Sequence, residues 1–267
     1  MLASTAKLTG AVQHVESHDP RSLWRRLISS TEEPKPDVVL LYHDNAQALA
    51  LLDRIRSTPD IETLPVVVIT PEATASEVIH AMERDADDYL ITPVIPQILA
   101  NRMGAIISRR RNPSPFEAML LAGKKALKNR NHNLARERFE CALRIKPEAT
   151  SALYYLGLVA EVSGQVDEAK SYYARAAKFR MNLRAQERLC ALLMRERNYS
   201  AMRPLVDNLS RYVPVSPQWL AASGLSTLED GQVAEAVKYL HQSHRVWVAG
   251  SDDQQGYAPM EGLSRAI

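Results

Sequence analysis

In the second half of the chain apolar residues recur every three to four positions, the spacing of an amphipathic helix. From Phe116 to Met181 that pattern is written twice, 34 residues apart. Gly123 falls on Gly157, Ala126 on Ala160, Ala135 on Ala169, Phe139 on Tyr173 and Ala142 on Ala176. Two antiparallel helices that cross closely need small side chains at the contact. Gly123 and Ala135 are therefore expected at the crossing of one hairpin, and Gly157 and Ala169 at the next. Phe139 and Tyr173 are expected to plug the gap to the following hairpin. A third unit, 183–216, keeps Leu189, Leu193, Leu209 and Pro214, with Cys190 where glycine stood and Met202 where alanine stood. A fourth, 217–250, recovers Gly224, Gly231, Ala236 and Leu240.

The first half is patterned differently. The runs at 36–42, 64–70 and 88–91 are short, β-branched and apolar on both faces, as buried parallel strands are. Helical stretches alternate with them. One opens at Asp19 and Pro20, one spans Ala48 to Arg56, one follows Ser76 through Val78, Ile79 and Met82, and one runs from Pro96 to about Arg109. Residues 11–16 alternate weakly and read as a further strand. Strand and helix in this alternation predict a parallel sheet with crossover helices. The fold class expected is thus α/β followed by all-α. Its parts are a unit over 1–112, a proline-broken linker at 113–115, four hairpins at 116–149, 150–182, 183–216 and 217–250, and a tail at 251–267.

A helical hairpin repeated at this period resembles the tetratricopeptide (TPR) repeat, which stacks into a solenoid with a concave groove. In the first half, "PDVVLLY" at 36–42, "LPVVVIT" at 64–70 and "ADDYLITPV" at 86–94 resemble the response-regulator receiver domain, a flavodoxin-like fold. Receivers place a phosphorylated Asp, a Thr or Ser, and a Lys at the carboxyl ends of three successive strands. Those positions are Tyr42, Thr70 and Thr92 here. A phenol cannot form an acyl phosphate, and Thr92 carries no charge for a phosphoryl group. The acid pair that would hold Mg²⁺ has no counterpart after the first strand. The resemblance therefore implies a pseudo-receiver, shortened at its start, with only Thr70 retained. Asp44 is a substitute acceptor to be weighed. Residues 11–16 either take the central sheet position or leave it to a strand from a partner chain.

The same resemblance places a docking or dimerisation face around Met82, Tyr89 and Ile98, and so allows a homodimer through this domain. The TPR resemblance implies groove-facing residues at Lys124, Lys128, Tyr154, Tyr155, Leu158, Arg184, Arg188, Arg195 and Leu225. Arg184 and Arg188 match in charge the basic pair with which some TPR domains hold a carboxylate. The partner expected is an acidic or amphipathic protein segment or peptide.

Charge sharpens this picture only slightly. The formal net charge is +2. Residues 1–113 hold 12 Lys and Arg against 15 Asp and Glu, so −3, and the remainder +5. A weak basic bias in the repeats favours acidic partners. Arg109–Arg111 is short and without interleaved aromatics, which reads as a helix-end cluster and not a nucleic-acid patch. No 18-residue apolar run and no signal-peptide pattern occur, so neither membrane insertion nor export is expected and a cytoplasmic location is. Cys141 and Cys190 read as buried thiols. No metal-ligand spacing, phosphate-cradling glycine loop or serine elbow is present. The expectation is no enzyme, no metal and no cofactor: a bacterial signalling adaptor acting by protein contact. The alternatives are a phospho-responsive regulator using a substitute acceptor, and a TPR chaperone or assembly factor for a secretion, pilus or flagellar system.

Overall fold

The computed structural model describes residues 20–29, 36–42, 46–58, 61–72, 77–78, 81–82, 84–178 and 182–249. The chain divides into two compact units, residues 1–114 and 115–267. In the first, α1 (Pro20–Ile28), β1 (Val39–Tyr42), α2 (Ala46–Ser57), β2 (Val66–Thr70), β3 (Asp88–Ile91) and α3 (Pro96–Arg111) follow in order. Further helical residues at 77–78 and 81–82 lie between β2 and β3. The three strands are parallel in the order β1-β2-β3, with Tyr42 opposite Ile69 and Thr70 opposite Ile91. This is the α/β layer expected from the three apolar runs.

Alternation along β2 explains why such runs carry no polar face. Val66 and Val68 join a core with Leu27, Val39, Leu41, Leu52 and Ile55 on one side of the sheet. Val67 and Ile69 join Leu90, Leu99 and Ile106 on the other. The strands begin later than the runs do. Pro65 has no N–H for the ladder, and its carbonyl instead accepts from the Val39 N–H at 2.8 Å. Residues 11–16, Asp19, Ser76, Asp44 and the tail at 251–267 lie outside the described residues, and with them the question of what fills the central sheet position.

One buried charge ties this unit together. The Asp87 side chain is only 4% exposed and meets Arg56 at 2.9 Å and Arg110 at 2.7 Å. It also accepts from the Val66 N–H at 2.9 Å. Arg56 spends its remaining donors on the carbonyls of Asp85, Glu62 and Leu64. Burial lowers the Arg56 pKa, Asp87 opposes that, and Arg110 adds to it. The carboxylate thus joins α2, α3 and the start of β2.

The second unit is built of antiparallel helix pairs: α4 (Pro115–Lys128) with α5 (His132–Ile145), α6 (Thr150–Val162) with α7 (Val166–Ala177), α8 (Leu183–Arg195) with α9 (Tyr199–Leu209), and α10 (Pro217–Glu229) with α11 (Val233–Ala249). Pro115 is the first residue of α4, where a missing N–H costs nothing. Each first helix ends in a residue with positive φ at the same repeat position: Arg130, Gly164, Arg197 and Gly231. The next N–H bonds back five residues in every case, from Asn131 to Ala126, Gln165 to Ala160, Asn198 to Leu193 and Gln232 to Thr227. That is the left-handed helix stop in which glycine is commonest.

The small and large residues also meet within one hairpin, a contact beyond the expected one with the next hairpin. A Cβ placed on Gly123 would stand 2.5 Å from the Phe139 ring, one on Gly157 2.4 Å from Tyr173, and one on Gly224 2.9 Å from Leu240. Phe139 also stacks on Tyr155 of the second hairpin, centroids 5.1 Å apart. In the third hairpin the corresponding residues are Cys190 and Val206, both fully buried. A larger residue on one helix is matched there by a smaller one on the other, which conserves volume.

Neighbouring hairpins are further joined by a repeated ion pair. Arg136, Lys170 and Arg203 occupy one repeat position. They reach Glu168 at 2.6 Å, Glu196 at 2.7 Å and Asp230 at 2.8 Å, each an acid of the following hairpin.

Two outcomes are expected in urea unfolding of the full chain. Gly123→Ala should cost about 1–3 kcal/mol by overpacking, and adding Phe139→Val should recover part of it, as the Cys190 and Val206 pair implies. Costs that merely add would show that the two sites do not share one volume. Asp87→Asn should cost about 3–5 kcal/mol, because Arg56 is left buried without its carboxylate. A loss below about 1 kcal/mol would mean that the two arginines do not depend on it.

Candidate functional site

Parallel strands in register bring Tyr42, Thr70 and Thr92 to one edge of the sheet, where doubly wound folds gather their sites. Tyr42, the last residue of β1, is 55% exposed. Thr70, the last of β2, is 3% exposed, and its hydroxyl donates to the Glu72 carbonyl at 2.6 Å. Thr92 follows β3, its N–H donating to the Thr70 carbonyl at 2.8 Å. Among the described residues no three His, Cys, Asp or Glu side chains converge.

Tyr89 lies on β3, opposite Val68. Its hydroxyl is buried beside Thr70 and completes no hydrogen bond of proper geometry among the described residues. Burial raises its pKa, with Thr70 acting the other way and Glu77 adding to the rise. Met82 and Ile98 are exposed, as are Ile91 and Ile95 near Ile98 in sequence. Ile91 and Ile95 escaped the sequence reading because an edge strand and a helix entry look like core until burial is known.

In the second unit all nine expected groove residues lie on the first helices of the hairpins. Lys124 and Lys128 are on α4, Tyr154, Tyr155 and Leu158 on α6, Arg184, Arg188 and Arg195 on α8, and Leu225 on α10. Helix α4 packs beside α6 and α8 beside α10. These four helices carry six Lys and Arg against four Asp and Glu.

Several of the nine are brought together. Lys124 Nζ stands 5.0 Å above the Tyr155 ring, a cation–π contact. Tyr154 meets Tyr155 edge-on at 5.3 Å and lies 6.0 Å from the Tyr173 ring. Tyr155 is thus a packing residue between hairpins as well as a candidate contact. Arg184 and Arg188 stand one turn apart on α8, with Glu187 between them. Burial raises the Glu187 pKa, against the pull of Arg184 and Arg188. Arg188 Nη1 lies 3.5 Å from Glu161 Oε1. Sequence reading missed Glu161 because its repeat position is apolar elsewhere, with Leu127, Met194 and Leu228 in its place.

The tetratricopeptide repeat family model matches residues 120–182, which lie in the first two hairpins. The N-terminal part is similar to response-regulator proteins. The phosphate regulon transcriptional regulatory protein PhoB of Rhizobium meliloti (strain 1021) is 28% identical over 127 residues, 47% of this chain and 55% of that protein. PhoB of Klebsiella pneumoniae is 32% identical over 113 residues, 40% and 46% of the two chains. A chemotaxis protein CheY homolog of Campylobacter jejuni subsp. jejuni serotype O:23/36 (strain 81-176) is 24% identical over 81 residues, 30% and 62%. The chain therefore spans about half to three-fifths of the length of these relatives. Among solved structures, the MamA RS-1 ArsTM double mutant aligns with 57% of this chain and 93% of its own, at 15% identity and a TM-score of 0.41. No helix among the described residues is long and apolar enough to cross a membrane.

Glu187 makes a pH prediction with an unusual sign for a carboxylate. The folded protein binds its proton more tightly than the unfolded chain, so the charged form costs stability above the raised folded value. That cost is relieved as pH falls through the raised value towards the ordinary carboxylate range. Glu187→Gln should therefore raise the melting temperature near neutral pH and lose that advantage by about pH 3. A variant that melts lower near neutral pH would show that the arginines outweigh burial.

Proposed function

We propose that the chain is a signalling adaptor whose two units both act by holding other polypeptides. The receiver-like unit does so without phosphorylation, and the TPR groove takes an acidic or amphipathic peptide. The observation that carries the first half is Tyr42. It stands exposed at the strand end where the resemblance requires a carboxylate nucleophile, and a phenol cannot form the acyl phosphate. A unit without that acceptor stays in one state, and its docking face is permanently available. Met82, Ile91, Ile95 and Ile98 supply exposed apolar surface for such a face, and a second copy of the chain is its proposed partner. The basic bias of the first helices supports the second half of the reading.

A second reading follows from the similarity to PhoB and CheY proteins, named for transcriptional regulation and chemotaxis. In it the chain is phospho-responsive and Asp44 replaces the missing acceptor. Incubation of the full chain with acetyl phosphate and Mg²⁺ separates the two. The adaptor reading expects an unchanged intact mass and the same dimeric light-scattering mass before and after treatment. A gain of one phosphoryl group, or a monomer that dimerises only when treated, would establish the phospho-responsive reading instead.

A further inference from the structure

The joint between the second and third hairpins is charged where its neighbours are apolar. Glu161 on α6 and Arg188 on α8 occupy the repeat positions of Leu127 and Tyr155 one hairpin earlier, and of Met194 and Ala222 one hairpin later. Leu127 and Tyr155 pack against the same core cluster, so stacking requires no charge at this place.

The two charged partners are held unequally. Glu161 Oε2 accepts from the hydroxyl of the fully buried Tyr173 at 2.9 Å. Burial and that bond keep the phenol protonated, so the acid is anchored from below. Arg188 is 49% exposed, and its 3.5 Å separation from Glu161 is longer than the roughly 2.7–2.9 Å of a charge-assisted hydrogen bond. The cation can turn away from Glu161 while the acid keeps its tyrosine. Arg184 lies one turn earlier on the same helix.

We infer that Glu161 is an internal stand-in for a ligand carboxylate, engaging Arg188 in the empty groove and giving it up to an acidic side chain of a bound peptide. This rests on the reading of the groove as a peptide site. It adds a specificity device. Glu161 competes with the incoming acid for the same cation, so a ligand with one isolated carboxylate gains little, and one with several acids gains enough to displace it.

The probe is a fluorescein-labelled, C-terminally amidated oligoglutamate peptide, read by fluorescence anisotropy with the full chain, with oligoglutamine as its neutral counterpart. Glu161→Gln leaves an amide oxygen to accept from Tyr173 while removing the competing charge. It should lower the Kd for oligoglutamate by about two- to fivefold at low salt. The gain should shrink at high salt and vanish when Arg188→Ala is added. Unchanged thermal melts of Glu161→Gln would show that the joint remains folded. If Arg184→Ala/Arg188→Ala weakens binding but Glu161→Gln leaves it unchanged, or if the gain persists without Arg188, the stand-in role is overturned and the groove reading survives. If neither the wild type nor Glu161→Gln distinguishes oligoglutamate from oligoglutamine, both fall.

Discussion

Three of the four helical hairpins depend on one close contact, a ring or branched side chain from the second helix seated on a glycine in the first. Glycine at 123, 157 and 224 lets the helices approach until Phe139, Tyr173 and Leu240 fill the space a Cβ would take. That approach fixes which faces remain outward. Lys124 and Arg188, which the groove reading invokes, lie on first helices whose Gly123 and Cys190 positions are committed to the second helix of the same hairpin. The candidate binding surface is a by-product of how tightly the hairpins close.

The first unit depends on a different constraint. Its sheet is apolar on both faces, and a deeply buried carboxylate, Asp87, is matched by two guanidinium groups and a backbone N–H. Buried charge of this kind adds little net stability, but it is costly to leave half-made. It therefore favours the one arrangement of α2, α3 and β2 that satisfies every donor. The carboxyl ends of the strands carry no comparable polar network among the described residues. There Tyr42 faces solvent and Thr70 turns its hydroxyl to the Glu72 carbonyl.

Much of this was legible in the residues. The apolar runs located β1, β2 and β3 because a strand covered on both faces has no need of polar alternation, and Asp88–Ile91 matched residue for residue. Gly123, Gly157 and Gly224 located the hairpin crossings because only glycine tolerates that proximity. What stayed hidden was pairwise. Cys190 looked like decay of the repeat until Val206 stood at the matching position. Arg130 and Arg197 gave no sign of a left-handed turn, since the stop is made by backbone hydrogen bonds that do not need glycine. Glu161 carried no motif, and its meaning lies in Tyr173 below it and Arg188 beside it. Side-chain pairs between distant positions leave no periodic trace, so spacing alone does not find them.

The forward-reaching cations at 136, 170 and 203 bear on cooperativity. The ring-on-glycine contacts lie inside single hairpins and are apolar, whereas these bridges run between hairpins and are partly open to solvent. Ionic strength therefore acts unequally on the array, weakening the coupling of one repeat to the next while leaving each repeat's own closure almost untouched. In concentrated salt the coupling between repeats would fall only by the modest share these bridges supply, while apolar contacts such as Phe139 on Tyr155 keep the hairpins stacked.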